Sequence, residues 1–316
     1  MPNQKCLACL TEITEKAIDL STNDIEQRKK LLDKLNKKTE AEFENIKLPD
    51  YSTVIFSIIA QETGTLDPFL EIKKESNRYF QELVPKIVNS FEGMDKKTIE
   101  YNLFLFTIAA NMVDFSTGGH SVDLDEIAEN ILKFPEEGLA VNDFEKLQKQ
   151  ISKAKKIVYL SDNCGEVVID NLVVELLVKE KKKEVYLGLK GGPVANDCSL
   201  EDFTRDKLPF NATETFVVSS SFGYNLHQVT DKFKDLLNDA DLLIVKGQSN
   251  YETTLNNLVR YPDYDFPPTF CILRTKCQVI TKSLGVPMGS NVIKQMHPLP
   301  KEEKEMITEI VEWKNC

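Results

Sequence analysis

The second half of the chain alternates short apolar segments with segments of helical periodicity. Five apolar runs have the length and composition of buried strands, and they lie at 157–160, 185–189, 215–219, 242–245 and 269–273. Helical patterns, such as those at 223–237 and 251–259, lie between them. Strands that alternate with helices predict a mostly parallel sheet flanked by helices, which is an α/β fold.

The first 150 residues show a different pattern. They contain helical patterns and no convincing strand, as at 25–46, 79–91 and 101–113, the last of which is apolar enough for a buried helix. We therefore expect two domains. Residues 1–150 would form an all-helical domain, and residues 151–316 would form an α/β domain.

Charge and composition exclude several classes of function. The formal net charge of -11 argues against broad binding of nucleic acid or of anionic membranes. No apolar run approaches the roughly 20 residues of a membrane span, and the N-terminus lacks the pattern of a signal peptide. The 7 cysteines are odd in number and scattered, which predicts a reducing, cytoplasmic location rather than a disulfide framework.

The segment that follows the first predicted strand carries the strongest functional signal. The strand ends at Ser161 and is followed by Asp162 and Asn163. Gly165 then lets the chain turn into a helical pattern. Ligands of open α/β sheets bind at the carboxyl ends of the strands. A carboxylate beside an amide oxygen suits a hard divalent cation, Mg or Mn first, with Co or Ni also compatible. From this motif alone, the alternative that the pair merely caps the helix stays open.

Other predicted strands also end in polar residues. Lys190, Lys246 and Lys276 each follow a strand, and Asp197 in the loop after the second strand is either a third oxygen ligand or an ordinary loop acid. Backbone N–H groups from Gly247 to Asn250 would point at a phosphate. We expect the side chains of Lys246 and Lys276 to leave the core and reach the cleft at this edge. The pattern predicts a site for a metal and a polyanion.

Other parts of the sequence carry weaker functional signals. The chain has no GxxxxGK[ST] loop, no GxGxxG fingerprint and no GxSxG elbow. Asn111 and Asp114 interrupt an apolar helical face, so they either cap a helix or face a cleft. Cys6 and Cys9 are spaced by one helical turn. They could belong to a structural metal site, which would need two further ligands. Alternatively, they form a redox-sensitive pair or are simply two reduced thiols.

The sequence also resembles a known family. The segments YLSDNCGEVVID, KGGPVANDCSLEDF, IVKGQSNYE, ILRTKC and AANMVDF resemble the metal-dependent damage-control phosphatases, formerly domain of unknown function 89. The leading CLAC resembles the microbial branch with an N-terminal CxxC. One departure is Cys164, where the family commonly has Ala. The resemblance implies a helical region, a Rossmann-like domain and a site in the cleft between them.

The resemblance also assigns roles to individual residues. It implies that a divalent metal is held by Asp162, Asn163 and Asp197, which would also be the catalytic residues. It implies that the substrate and its phosphate contact Asn111, Asp114, Glu166, Lys246, Gly247, Asn250, Glu252 and Lys276.

The function expected from these residues is metal-dependent hydrolysis of small phosphorylated metabolites, such as sugar phosphates. Whether the attacking group is water or Asp162 is open. Two alternatives remain: a carboxyl methyltransferase that uses S-adenosylmethionine, and a non-catalytic protein that binds phosphometabolites. We expect no nucleic-acid or membrane partner, and the sequence leaves the oligomeric state open.

Overall fold

The computed structural model describes residues 4–42, 48–112 and 124–298. Its first part is helical, with a short 3₁₀ turn, Ala110–Met112, at the end of the fifth helix. The helices are α1 (Gln4–Ser21), α2 (Ile25–Glu42), α3 (Leu48–Thr63), α4 (Leu70–Asn89), α5 (Lys96–Ala109), α6 (Leu124–Lys133) and α7 (Phe144–Lys153). In the described part of the chain, no helix is both long and apolar enough to cross a membrane.

The remaining elements form a seven-stranded sheet with intervening helices. The strands are β1 (Val141–Asn142), β2 (Lys156–Leu160), β3 (Glu184–Leu189), β4 (Glu214–Val217), β5 (Leu242–Lys246), β6 (Thr269–Arg274) and β7 (Asn291–His297). The later helices are α8 (Glu166–Glu175), α9 (Leu200–Arg205), α10 (Asp231–Asp239), α11 (Gln248–Arg260) and α12 (Gln278–Leu284). The strand order is β1-β7-β6-β5-β2-β3-β4, and β6 and β7 form the antiparallel pair. The predicted α/β fold with a mostly parallel sheet is confirmed.

Both faces of the sheet are buried, which explains why its strands are apolar throughout. On β2, Ile157 and Tyr159 face a core that includes α4, α5, α7 and α8, whereas Val158 and Leu160 face a core that includes α10, α11 and α12. A third core joins α1–α3 to the loops beyond β3 and β4. These helices therefore lie over the carboxyl edge of the sheet.

The structure departs from the sequence-based assignment at three places. Strands β1 and β7 were not predicted, and β1 lies within the region expected to be free of strands. The helix expected at 223–237 begins at Asp231, because the Thr230 side chain caps it. Residue 150 lies inside α7, and the division into two domains at that point stays a prediction.

Candidate functional site

The loop after β2 places Asp162 and Asn163 at the carboxyl edge of the sheet. Gly165 ends the loop with a φ of +84°, and a Cβ at this position would lie 2.8 Å from a ring carbon of Phe80. Only glycine fits here without strain, so the chain can turn directly into α8. Gly165 is the N-cap residue of α8. The alternative that Asp162 and Asn163 cap this helix is therefore wrong.

The loop after β3 brings Asp197 to the same place. Asn163 and Asp197 pair in an isolated antiparallel bridge, and the Cys198 N–H donates a hydrogen bond to the carbonyl of Asp162 at 2.8 Å. Asp162 and Asp197 are buried. The three residues predicted to hold a metal thus converge, although they come from two separate loops.

Gly247 and Asn111 enclose the carboxylate of Asp162. Gly247 has a φ of +84°, and a Cβ built on it would lie 2.0 Å from Asp162 Oδ2. Any side chain at this position would displace the carboxylate. From the end of α5, Asn111 Nδ2 lies 3.4 Å from the same oxygen, so the structure brings this predicted site residue into the cluster.

Glu166, the first residue of α8, links the members of this cluster. Its carboxylate accepts hydrogen bonds from the side-chain amides of Asn111 and Asn163, and its other oxygen lies 3.3 Å from Lys246 Nζ. Glu166 is itself buried. It therefore orients two amide groups beside Asp162 rather than pointing freely into a cleft.

The cluster carries an excess of buried negative charge. Burial raises the pKa of Asp162 well above its usual range, and the charges of Glu166 and Asp197 raise it further. Burial likewise raises the pKa of Asp197 to about 6, although Lys190 opposes the shift. A divalent cation among these carboxylates would relieve both effects.

The donor groups fit such a cation. Asp197 Oδ2 is buried and accepts no hydrogen bond from any described residue. Lys190 Nζ lies 3.5 Å from this oxygen, within ion-pair range but without the alignment of a hydrogen bond. Among the described residues, no three His, Cys, Asp or Glu side chains form a metal-binding group, so a cation here needs the amide of Asn163 beside the two carboxylates. Carboxylate and amide oxygens suit Mg²⁺ and Mn²⁺.

The expectation that Lys246 leaves the core is wrong. Its side chain is 1% exposed, and its Nζ donates to the carbonyl of Thr107 at 2.8 Å and lies 3.2 Å from Asp170 Oδ1 and 3.3 Å from Glu166 Oε2. Burial alone would lower the pKa of Lys246, but the surrounding carboxylates outweigh it and hold the pKa above its ordinary value. Lys246 is therefore a buried cation that pairs with the carboxylates of Glu166 and Asp170 on α8.

The other two lysines at the strand ends differ from each other. Lys190 is buried and donates to the carbonyls of Ser221 and Gly223 at 2.9 and 2.8 Å. Lys276 is exposed, and its backbone N–H donates to Gln248 Oε1 at 2.8 Å. Its charge lies close enough to Asp162 to lower the pKa of that carboxyl group. Of the three lysines, Lys276 is the one whose side chain can meet a ligand from solvent.

At the start of α11, the first of the N–H groups predicted to bind phosphate already has a partner within the protein. The Gly247 N–H donates to the carbonyl of Ile272 at 3.0 Å, so the expectation that this group points at a phosphate is wrong. The N–H groups of residues 248–250 have no partner within the helix, by helix geometry. Asn250 uses its amide to bond the carbonyls of Ser161 and Lys246, at 3.1 and 2.7 Å, and so ties β2 to β5. Glu252 is half-buried on α11.

Some predicted residues cannot be placed, and others were missed. Asp114 and the side chain of Cys6 lie outside the described residues, and Cys9 is exposed on α1. Asp170 was missed, although it follows Glu166 by four residues and so lies on the same face of α8. That spacing could have identified it. Lys73 and Asn77 of α4 were also missed, and no local pattern marks them.

The chain is thus an α/β protein in which two carboxylates and an amide converge at the carboxyl ends of parallel strands. The chain belongs to the family of the damage-control phosphatase ARMT1-like domain, whose family model matches residues 3–292. The resemblance found in the sequence motifs is thereby confirmed. The assignment of CLAC to a CxxC branch stays a prediction.

Individual relatives agree with this assignment. The chain is 28% identical to the damage-control phosphatase PH1575 of Pyrococcus horikoshii over 289 residues, which cover 91% of this chain and 96% of that protein. It is 28% identical to a damage-control phosphatase of Archaeoglobus fulgidus over 246 residues, which cover 77% and 81%. A crystal structure of the Pyrococcus horikoshii protein, described as a DUF89 family protein, matches with a TM-score of 0.76 at 27% identity and covers 93% of this chain and 98% of that one.

Proposed function

We propose that this chain is a divalent-metal-dependent hydrolase of small phosphorylated metabolites, such as sugar phosphates. The observation that carries the proposal is the convergence of Asp162, Asn163 and Asp197, with a buried Asp197 oxygen that accepts no hydrogen bond from the described residues. The names of two relatives support phosphatase activity.

The metal would be held by the two carboxylates and the Asn163 amide oxygen. When bound, a divalent cation polarises a phosphoryl oxygen and lowers the pKa of water. The chain itself holds the donors in place. Glu166 accepts a hydrogen bond from the Asn163 amide, and Gly247 allows the backbone between β5 and α11 to pass directly against Asp162.

The phosphate would lie between the start of α11 and the end of β6. The first N–H groups of α11 and the positive end of its dipole favour an anion. Lys276 adds an exposed ammonium group at the neighbouring strand end, where it can bind a phosphoryl oxygen as negative charge develops. Lys246 does not contact the phosphate; its ammonium group lies 3.3 Å from Glu166 Oε2 and holds that side chain in place.

Two modes of attack fit this arrangement. In one, Asp162 or Asp197 accepts a proton from the attacking water. In the other, an oxygen of Asp162 attacks phosphorus while the bond from phosphorus to the ester oxygen breaks. The alkoxide takes a proton from water as it leaves, and a second water hydrolyses the aspartyl phosphate. Acid quenching during turnover separates them, because a covalent phosphate on the peptide that contains Asp162 appears in the second mode alone.

A screen of phosphorylated metabolites tests the proposal. Phosphate release is measured with Mg²⁺, Mn²⁺, Co²⁺ or Ni²⁺ and with a chelator, for the wild type and for Asp162→Ala. We expect metal-dependent release that the variant lacks. Absence of release from every phosphomonoester, together with methyl transfer from S-adenosylmethionine, would overturn the proposal in favour of the methyltransferase.

A further inference from the structure

One face of α4 contacts the loop that carries Asp162 and Asn163, and it also contacts α9, the helix that follows the loop with Asp197. Lys73 and Asn77 lie one helical turn apart on this face and are 1% and 0% exposed. Asn77 contacts the loop after β2 and the end of α9, whereas Lys73 contacts the start of α9. We call these two side chains the α4 pair.

Asn77 holds the loop after β2. Its Oδ1 accepts a hydrogen bond from the Gly165 N–H at 2.6 Å, and its Nδ2 donates to Asp206 Oδ2 at 2.7 Å. Gly165 closes the loop that begins at Asp162, and α4 packs directly on it through Phe80. The orientation of the Asn77 amide is therefore fixed at both ends, and the loop is fixed with it.

Lys73 holds the region after β3. Its Nζ lies 2.7 Å from Asp202 Oδ2 and 2.6 Å from Asp67 Oδ2. Asp202 in turn forms a capping box with Ser199, which lies two residues after Asp197. A buried ion pair thus anchors the helix start that immediately follows the second ligand-bearing loop.

We propose that the α4 pair sets the relative position of the two loops, and thereby the affinity of the site for a divalent cation. This inference rests on the proposed function. Neither residue contacts a proposed ligand atom, so both are positioning residues. Partners that orient metal ligands from behind typically change metal affinity by 10- to 100-fold when removed, and Mg²⁺ is especially sensitive because it demands near-ideal octahedral geometry.

Replacing Asn77 by leucine tests the inference, since leucine keeps the branched shape and the number of side-chain heavy atoms and removes both hydrogen bonds. The dissociation constant for Mn²⁺ is measured on the full chain by electron paramagnetic resonance. Hydrogen exchange of the Gly165 amide is measured on the metal-free chain. We expect Asn77→Leu to raise the dissociation constant by about 10- to 100-fold and to accelerate exchange at Gly165.

Asn171→Leu is the matched control. Asn171 is equally buried, on the helix that follows the loop, but its Nδ2 bonds the carbonyl of Val167 within that helix. We expect this control to leave Mn²⁺ affinity unchanged. If it weakens Mn²⁺ binding as much as Asn77→Leu does, general destabilisation explains the effect and the inference is overturned.

The remaining outcomes are also decisive. A folded Asn77→Leu chain with wild-type Mn²⁺ affinity overturns the positioning role. If this variant does not fold, the smaller and polar substitution Asn77→Ser is measured against the same two results. If the wild type binds no Mn²⁺, the proposed function fails. Hydrogen exchange then tests the inference separately, because an unchanged exchange rate of the Gly165 amide in metal-free Asn77→Leu would show that Asn77 does not hold this loop.

Discussion

Replacing the buried lysine of β5 should destabilise the protein strongly. Lys246→Met keeps the aliphatic stem and removes an ammonium group that lies 3.3 Å from Glu166, 3.2 Å from Asp170 and 2.8 Å from the Thr107 carbonyl. The two carboxylates are at most 3% exposed, so water cannot replace the lost partner. Breaking a buried ion pair on one side typically costs about 3–5 kcal/mol. That is a large fraction of the usual free energy of unfolding, which is about 5–15 kcal/mol.

Urea unfolding in the presence of a chelator measures this loss without any contribution from bound metal. Lys276→Met is the matched control, because its side chain is exposed at the neighbouring strand end. A surface substitution of this kind usually changes stability by less than about 0.5 kcal/mol. We therefore expect a large shift of the unfolding midpoint for Lys246→Met and almost none for Lys276→Met.

A double variant tests whether the loss of stability in Lys246→Met comes from the broken ion pair. Adding Asp170→Asn to Lys246→Met removes one of the carboxylates left without a partner, so the two changes should be non-additive by about 0.5–3 kcal/mol. Equal stability of Lys246→Met and wild type would refute this account, and would return Lys246 to a role at an exposed phosphate site.

Three further predictions concern the same edge of the sheet. Gly247→Ala should abolish Mn²⁺ binding, measured by calorimetry, because the added Cβ would lie 2.0 Å from Asp162 Oδ2; wild-type affinity would contradict this. Lys276→Met should weaken inorganic phosphate binding in a fluorescence or calorimetric titration, because a charge-assisted contact is lost. Burial raises the pKa of Asp170 to about 6, so the folded chain retains a proton there that the unfolded chain releases near its ordinary pKa of 3.8. The stability of the metal-free chain should therefore fall as pH rises through that window, and Asp170→Asn should remove on the order of 3 kcal/mol of this change in urea titrations.

The convergence of the candidate site residues could be predicted from the sequence, because it depends on topology alone. Apolar runs separated by helices require parallel strands, and parallel strands bring their carboxyl ends to one edge. Asp162, Asn163 and Asp197 follow two such strands, and the structure brings them together. Strand β7 escaped prediction because Lys294 and Gln295 interrupt its apolar pattern.

The positions of the lysine side chains could not be predicted from the sequence, because they depend on contacts between residues that are distant along the chain. A lysine at the end of a strand can turn outward or back towards the core, and the choice for Lys246 is made by carboxylates on α8. Asn77 contacts Gly165 across 88 residues, and Lys73 contacts Asp202 across 129. No local periodicity marks such pairs.

Binding of Mn²⁺ to the chelator-treated chain tests the proposed metal site most directly. Calorimetric titration of wild type and Asp162→Ala is followed by phosphate release from a sugar phosphate at each Mn²⁺ concentration. We expect about one ion per wild-type chain, no measurable binding to Asp162→Ala, and phosphate release that rises in proportion to the bound ion. Full turnover in the presence of chelator, or unchanged Mn²⁺ binding by Asp162→Ala, would contradict a metal site formed by Asp162, Asn163 and Asp197.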